Sequence, residues 1–214
     1  MTSEQAKLLD DLFINNIRQE QEYQKRLSGS DGQLFEFSDK VTCNMVRRRD
    51  AEDKLSFRNP IVIEHWRENV KIGEYQTFND ITNEGKNDIF NVYFFSGTQT
   101  LTASWFIGLI SITGFTGLAA TDTMSSHAGW TEFTAYSQST RVAWGPGAAA
   151  SQSITNATAA QFDITGSGTV KGVFITTNST KSGTSGKLWA TALFSADVPV
   201  VNGDQLKVTY TVSA

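Results

Sequence analysis

The stretch QLKVTYTVS, residues 205–213, decides the fold. Leu206, Val208, Tyr210 and Val212 alternate with Lys207, Thr209 and Thr211, the two-residue period that gives a strand one apolar and one polar face. Asn202-Gly203-Asp204 just before it is a tight-turn signal, and the reading is an antiparallel hairpin with Pro199-Val200-Val201. Working back toward the N-terminus, SWFIGLIS (104–111), WTEFTAYS (130–137), RVAW (141–144), SITNATAAQFDITG (153–166), TVKGVFITT (169–177) and LWATALFS (188–195) are short apolar runs separated by turn residues. About seven strands in roughly 110 residues matches the scale of an immunoglobulin-like or jelly-roll β-sandwich. TTNSTKSGTSGK (176–187) has no apolar residue and reads as a loop projecting into solvent.

Composition changes near residue 104. From Trp105 onward there are five bases and five acids, out of 18 and 22 in the 214-residue chain. The charge is concentrated in the first half, and the second half is rich in Gly, Ser, Thr, Ala and Trp. The predicted organisation is therefore residues 1–103 as an N-terminal helix with a mixed α+β attachment region, and 104–214 as a mainly β sandwich.

In the first half, Leu8, Leu9, Leu12, Phe13 and Ile17 form one stripe at helical spacing, with Thr2 and Gln5 placed to cap the start and Ser28-Gly29 to end it. The stripe packs either on its own domain or on another subunit. LFEF (34–37), RNPIVIEHW (58–66) and DIFNVYFF (88–95) read as strands, with a helix between the first two. Arg47, Arg48 and Arg49 suit a carboxylate-lined partner surface or phosphate, although Asp50, Glu52 and Asp53 beside them equally suit a self-neutralising solvated face.

Several function classes find no support. Acids outnumber bases, for a net charge of −4, which argues against duplex nucleic acid as a partner. Cys43 is the only cysteine, so no intrachain disulfide or cysteine-pair zinc site is expected. No apolar run approaches the ~20 residues of a membrane helix, and the start lacks a secretory-signal pattern, so synthesis in a cytoplasm is expected. Asn156-Ala-Thr and Asn178-Ser-Thr fit the glycosylation sequon, a pattern that arises by chance in a Ser/Thr-rich chain.

DTMSSHAGWTEF (122–133) brings an acid, two serines and a histidine together, but a Ser-His-Asp site is defined by spatial geometry, and the nucleophile elbow is missing. The expectation is a short helix over MSSHA, capped by Asp122 or Thr121 and ended by Gly129, with Trp130 and Phe133 fixing the corner to the core. His65 and His127 fit no metal motif, and GPGAAA (145–150) and GSGTVKG (166–172) fit no phosphate loop. Trp105, Trp130, Trp144 and Trp189 lie in or beside apolar strands, where burial is expected rather than stacking on a sugar. No catalytic, cofactor-binding or metal residue is predicted, and the chain is read as a non-enzyme.

The segments GFTGLAATDTMSSHAGWTEFTAYS (114–137), TRVAWGPGAAASQSITNATAAQFDITGSGTVKGVFIT (140–176) and GKLWATALFSADVPVVNGDQLKVTYTVSA (186–214) resemble a C-terminal module of virion structural proteins of tailed bacteriophages. The resemblance implies a capsid cement or decoration protein on the shell of the virion. Its implied partners are the major capsid protein and copies of itself, with a trimer favoured. A tail or neck component and a carbohydrate- or receptor-binding module are the alternatives. On this reading Leu8, Leu9, Leu12, Phe13, Ile17 and Arg47, Arg48, Arg49 are the expected partner contacts.

Overall fold

The computed structural model describes residues 59–213. The expected N-terminal helix, the strand at 34–37, and the proposed contact residues Leu8, Leu9, Leu12, Phe13, Ile17, Arg47, Arg48 and Arg49 lie outside the described residues. Eleven strands and one α-helix follow in chain order: β1 Pro60–Arg67, β2 Val70–Phe78, β3 Asp80–Ile81, α1 Asn83–Phe94, β4 Phe106–Ser111, β5 Thr131–Phe133, β6 Val142–Ala143, β7 Ser153–Thr155, β8 Ala160–Asp163, β9 Gly168–Thr176, β10 Leu188–Val200 and β11 Gln205–Ser213.

The strands form two antiparallel sheets. The first runs β2-β1-β11, with β8 and β7 sharing the far edge of β11; the second runs β3-β10-β9-β4, with β5 and β6 sharing the far edge of β4. Alternation explains the interior. Leu206, Val208 and Tyr210 of β11 and Ile61 and Ile63 of β1 face one core with Ile107, Leu109, Val173, Ile175, Ala190 and Ala192 of the second sheet. β1 and β11 align Ile63 with Val208 and His65 with Leu206, so the period of two also carries His65 inward.

The second sheet is covered on both faces. Phe174 points away from the main core, where it meets Ile110, Met124, Trp130 and Leu188 beneath the long 112–130 connection. That double burial is why β9 reads as a nearly unbroken apolar run rather than an alternating one.

The structure departs from the expectations at several points. Within the described residues β1 is hydrogen-bonded along β11, so the change in composition at residue 104 is no boundary between separate bodies there. DIFNVYFF belongs to a helix. Thr82 Oγ1 accepts from the Gly85 amide at 3.0 Å as its N-cap, and this capping together with packing on β10 overrides the β-propensity of Ile, Val, Tyr and Phe.

The segment MSSHA is a turn and not a helix, closed by the reciprocal Thr123–Ser126 backbone pair. Residues 199–205 make no hairpin either. Pro199 and Val200 pair with β9 in the second sheet, whereas Gln205 onward pairs with β1 and β8 in the first, so the turn is an arch between sheets.

Asp204 explains the arch. Its side chain is fully buried, and its carboxylate accepts from Arg67 Nε at 2.7 Å and Nη2 at 2.9 Å and from the Val201 amide at 2.9 Å, with His65 Nε2 at 2.8 Å. The turn's acid thus faces β1 instead of solvent. The Arg67 guanidinium, assisted by the Val201 amide and His65 and opposed by burial, holds the Asp204 carboxyl well below the usual carboxylate range.

A carboxyl whose folded-state value is depressed contributes stability that is complete above its unfolded value of about 3.9 and declines as pH falls below it. We therefore expect the wild-type urea midpoint to drop between about pH 4 and pH 2, with a flatter acid limb in Asp204→Asn. Equal acid slopes in the two proteins would contradict this assignment.

Candidate functional site

The 176–187 segment, expected to project into solvent, begins at the end of β9 and continues as a loop that is tied down on the body. Arg141 donates to the carbonyls of Asn178 at 2.9 Å and Gly183 at 3.0 Å and pairs bidentately with Glu132 at 3.0 and 2.9 Å. Glu132 also accepts from the Ser182 amide at 2.6 Å, and Lys181 donates to the Tyr136 carbonyl at 2.7 Å. Burial of the phenol pushes Tyr136 well above its ordinary range, and burial draws Lys181 down.

The acid and histidine of the 122–133 stretch do not come together as a catalytic pair. Asp122 Oδ2 accepts from the Ala119 amide and from Trp130 Nε1, both at 3.0 Å, while His127 Nδ1 lies 3.1 Å from the Trp130 carbonyl oxygen and its ring stacks on the Trp130 indole. These residues build a corner. Among the described residues, no group of three His, Cys, Asp or Glu side chains is arranged to hold a metal ion.

The indoles expected inside are there: Trp130, Trp144 and Trp189 are buried and Trp105 is half-buried. The most exposed aromatic residues lie instead on α1 and at its C-cap. Its first turn is fastened to the start of β10, where Glu84 accepts from the Leu188 amide at 2.7 Å, Asp88 pairs with Lys187, and the Thr82 hydroxyl donates to the Leu188 carbonyl. Gly85 permits the approach, because a Cβ there would lie 2.2 Å from the Trp189 carbonyl oxygen.

With the helix so placed, Ile89 and Val92 turn toward the body, and the opposite positions carry large apolar side chains outward. Tyr93, Phe94 and Phe95 are 81, 80 and 81% exposed, Phe90 is 54% exposed, and Leu101 is 73% exposed on the segment that follows. Phe94 stands 6.4 Å from Phe90 and 6.1 Å from Tyr93, centroid to centroid, so the rings form a cluster. The end of the helix is fixed by the Phe95 and Gly97 amides, which both donate to the Asn91 carbonyl, at 3.1 and 2.8 Å.

Between α1 and the open end of the sheets lies a cavity of about 380 Å³, with Trp105, Trp144, Trp189, Ile154, Ile175 and Val212 among its lining residues and Tyr93 at its helix side. Trp144 Nε1 donates to the Tyr210 carbonyl at 3.0 Å, so its polar end is satisfied and the rest of the ring is free for apolar contact. Gln99, Thr100, Thr102 and Asp88 supply polar groups. An apolar cavity beside exposed aromatic rings offers a surface on which apolar groups can be buried.

Sequence reasoning missed this site because it assigned 88–95 to a strand, whose alternation would have buried every second aromatic. The usable signal was Thr82-Asn83-Glu84, a capping residue with an acid in the first turn, ahead of Ile89 and Val92 at helical spacing. No protein-family model matches the chain, and no curated protein matches it in sequence.

Proposed function

We propose that this chain is a structural component of a tailed-phage virion, of capsid cement or decoration type, built on an immunoglobulin-like or jelly-roll sandwich and working through interfaces rather than through turnover. The observation that carries the reading is the exposed ring cluster Phe90, Tyr93 and Phe94, flanked in the chain by the equally exposed Phe95 and by Leu101. Contiguous apolar patches beyond a few hundred Å² are rare on proteins that function as isolated monomers and mark interaction sites.

A repeating shell is a setting in which one moderate interface recurs many times, so that assembly converts a modest contact into large total stabilisation. The N-terminal region, with Leu8, Leu9, Leu12, Phe13, Ile17 and Arg47 to Arg49, would make the contact with the major capsid protein. The β body would carry the exposed face, on the outside of the capsid.

Quantitative mass spectrometry of purified particles tests the assignment. Hundreds of copies per virion are expected, together with earlier heat disruption of particles assembled without the chain. A dozen copies or fewer would transfer it to the tail or neck, and its absence from particles would end the virion reading.

A further inference from the structure

We propose that the occupant of the α1 face is a second copy of this chain, docked about a two-fold axis so that the Phe94 and Phe95 rings of each copy enter the other's cavity. The inference rests on reading that face as an assembly interface, and names its partner.

Three observations select this occupant. The first is size. At 150–250 Å² for an aromatic side chain, the exposed fractions of the four rings and Leu101 amount to roughly 700 Å², close to the ~800 Å² that each partner contributes to a stable interface. The second is volume, since about 150 Å³ of apolar cavity suffices for benzene and 380 Å³ therefore admits two phenyl groups. Phe94 and Phe95 offer two adjacent rings.

The third is arrangement. Tyr93 both belongs to the ring cluster and lines the cavity, so donor and acceptor features lie side by side on one surface. A self-complementary patch of that kind is satisfied by a two-fold contact, in which each feature is used twice and the assembly closes. Head-to-tail stacking that does not close into a ring would leave one ring cluster and one cavity open at the ends, and the observed stoichiometry separates a closed ring from the two-fold pair.

The chemistry of the lining also favours side chains over sugars. Its wall is mainly indole, isoleucine and valine, with Asp88, Gln99, Thr100 and Thr102 as its polar members, and the Trp144 N–H is already committed to Tyr210. A polyol bound there would lose water from its hydroxyls with few partners to replace it.

The test uses the full-length chain. Sedimentation velocity between about 1 and 100 µM should show a monomer–dimer equilibrium, and the Phe94→Ser/Phe95→Ser double variant should remain monomeric throughout, at least 100-fold weaker in association. Both positions are exposed, so the circular dichroism spectrum should match wild type, and thermal unfolding should match that of wild type diluted to its monomeric range, which shows that the fold is retained. Tryptophan emission should shift on dilution of wild type, because Trp105, Trp144 and Trp189 line the cavity, and should stay constant in the variant. A wild-type monomer at 100 µM, a trimer, or a dimer indifferent to the substitutions would overturn the proposal. Particle occupancy is read separately: a monomeric chain still present in hundreds of copies would sink the two-fold contact and leave the virion assignment standing.

Discussion

Glu132→Ala should lower the free energy of unfolding by about 3–5 kcal/mol, the loss associated with removing one partner of a buried ion pair. The side chains of Arg141 and Glu132 are 1 and 4% exposed, so the guanidinium left behind has no route to water without opening the 177–187 loop. Its remaining partners, the Asn178 and Gly183 carbonyls and the face of the Phe174 ring 5.0 Å away, replace only part of the lost charge pairing. The Ser182 amide loses its acceptor in the same step.

For a chain of this size the change corresponds to a fall in Tm of about 10 °C, readable by calorimetry. A double variant, Glu132→Gln with Arg141→Met, removes both charges and should recover part of the loss, since well-packed neutral replacements of buried pairs are often tolerated. A single-variant loss below about 1 kcal/mol, the range of surface pairs, would show that the site is wetter than its burial indicates.

Trp130→Ala should be comparably damaging, at about 3–5 kcal/mol, the range for emptying a buried aromatic site. Trp130 is 1% exposed, packs on Phe174 with centroids 5.0 Å apart, and donates its indole N–H to Asp122. Substitution leaves a cavity in the small second core and deprives Asp122 of a donor, so the 112–130 cover loses both its apolar and its polar attachment. Gly129 next to it is equally constrained, because a Cβ there would meet the Gly117 carbonyl oxygen at 2.2 Å.

His127→Ala removes only a ring stacked on the rim of the same indole, and should cost about 1 kcal/mol. Urea titrations of the variants check the ordering. A His127→Ala loss as large as that of Trp130→Ala would mean that the histidine, and not the indole, holds the corner.

The strands were legible where one face is apolar and the other polar. Residues 205–213 announced themselves by alternation, and the burial of Leu206 and Val208 follows from that period, whereas 58–66 was legible only as an apolar run bounded by Asn and Pro. The 168–176 strand was legible for a different reason, a dense apolar run that only a sheet covered on both faces accommodates. The turn at 202–204 was legible as a turn but not as to what it joins. A hairpin and an arch between sheets have the same local signals, and only the inward capture of Asp204 by Arg67 and His65, which lie more than a hundred positions away in the chain, selects the arch.

The face of α1 is the clearest case of what sequence left undecided. IFNVYFF is compatible with a strand and with a helix, since its residues have high β-propensity and its apolar positions satisfy either period. The choice is made by Glu84, Asp88 and Thr82 bonding to the first residues of β10 and by Gly85 lying against Trp189. These are contacts across roughly a hundred residues of chain. The sequence by itself therefore determined the β character of the body and which strand residues fill its core, because local period sets facing. The tertiary structure alone decided which strands share a sheet and which aromatics stay in water, because those depend on the partner that each segment meets.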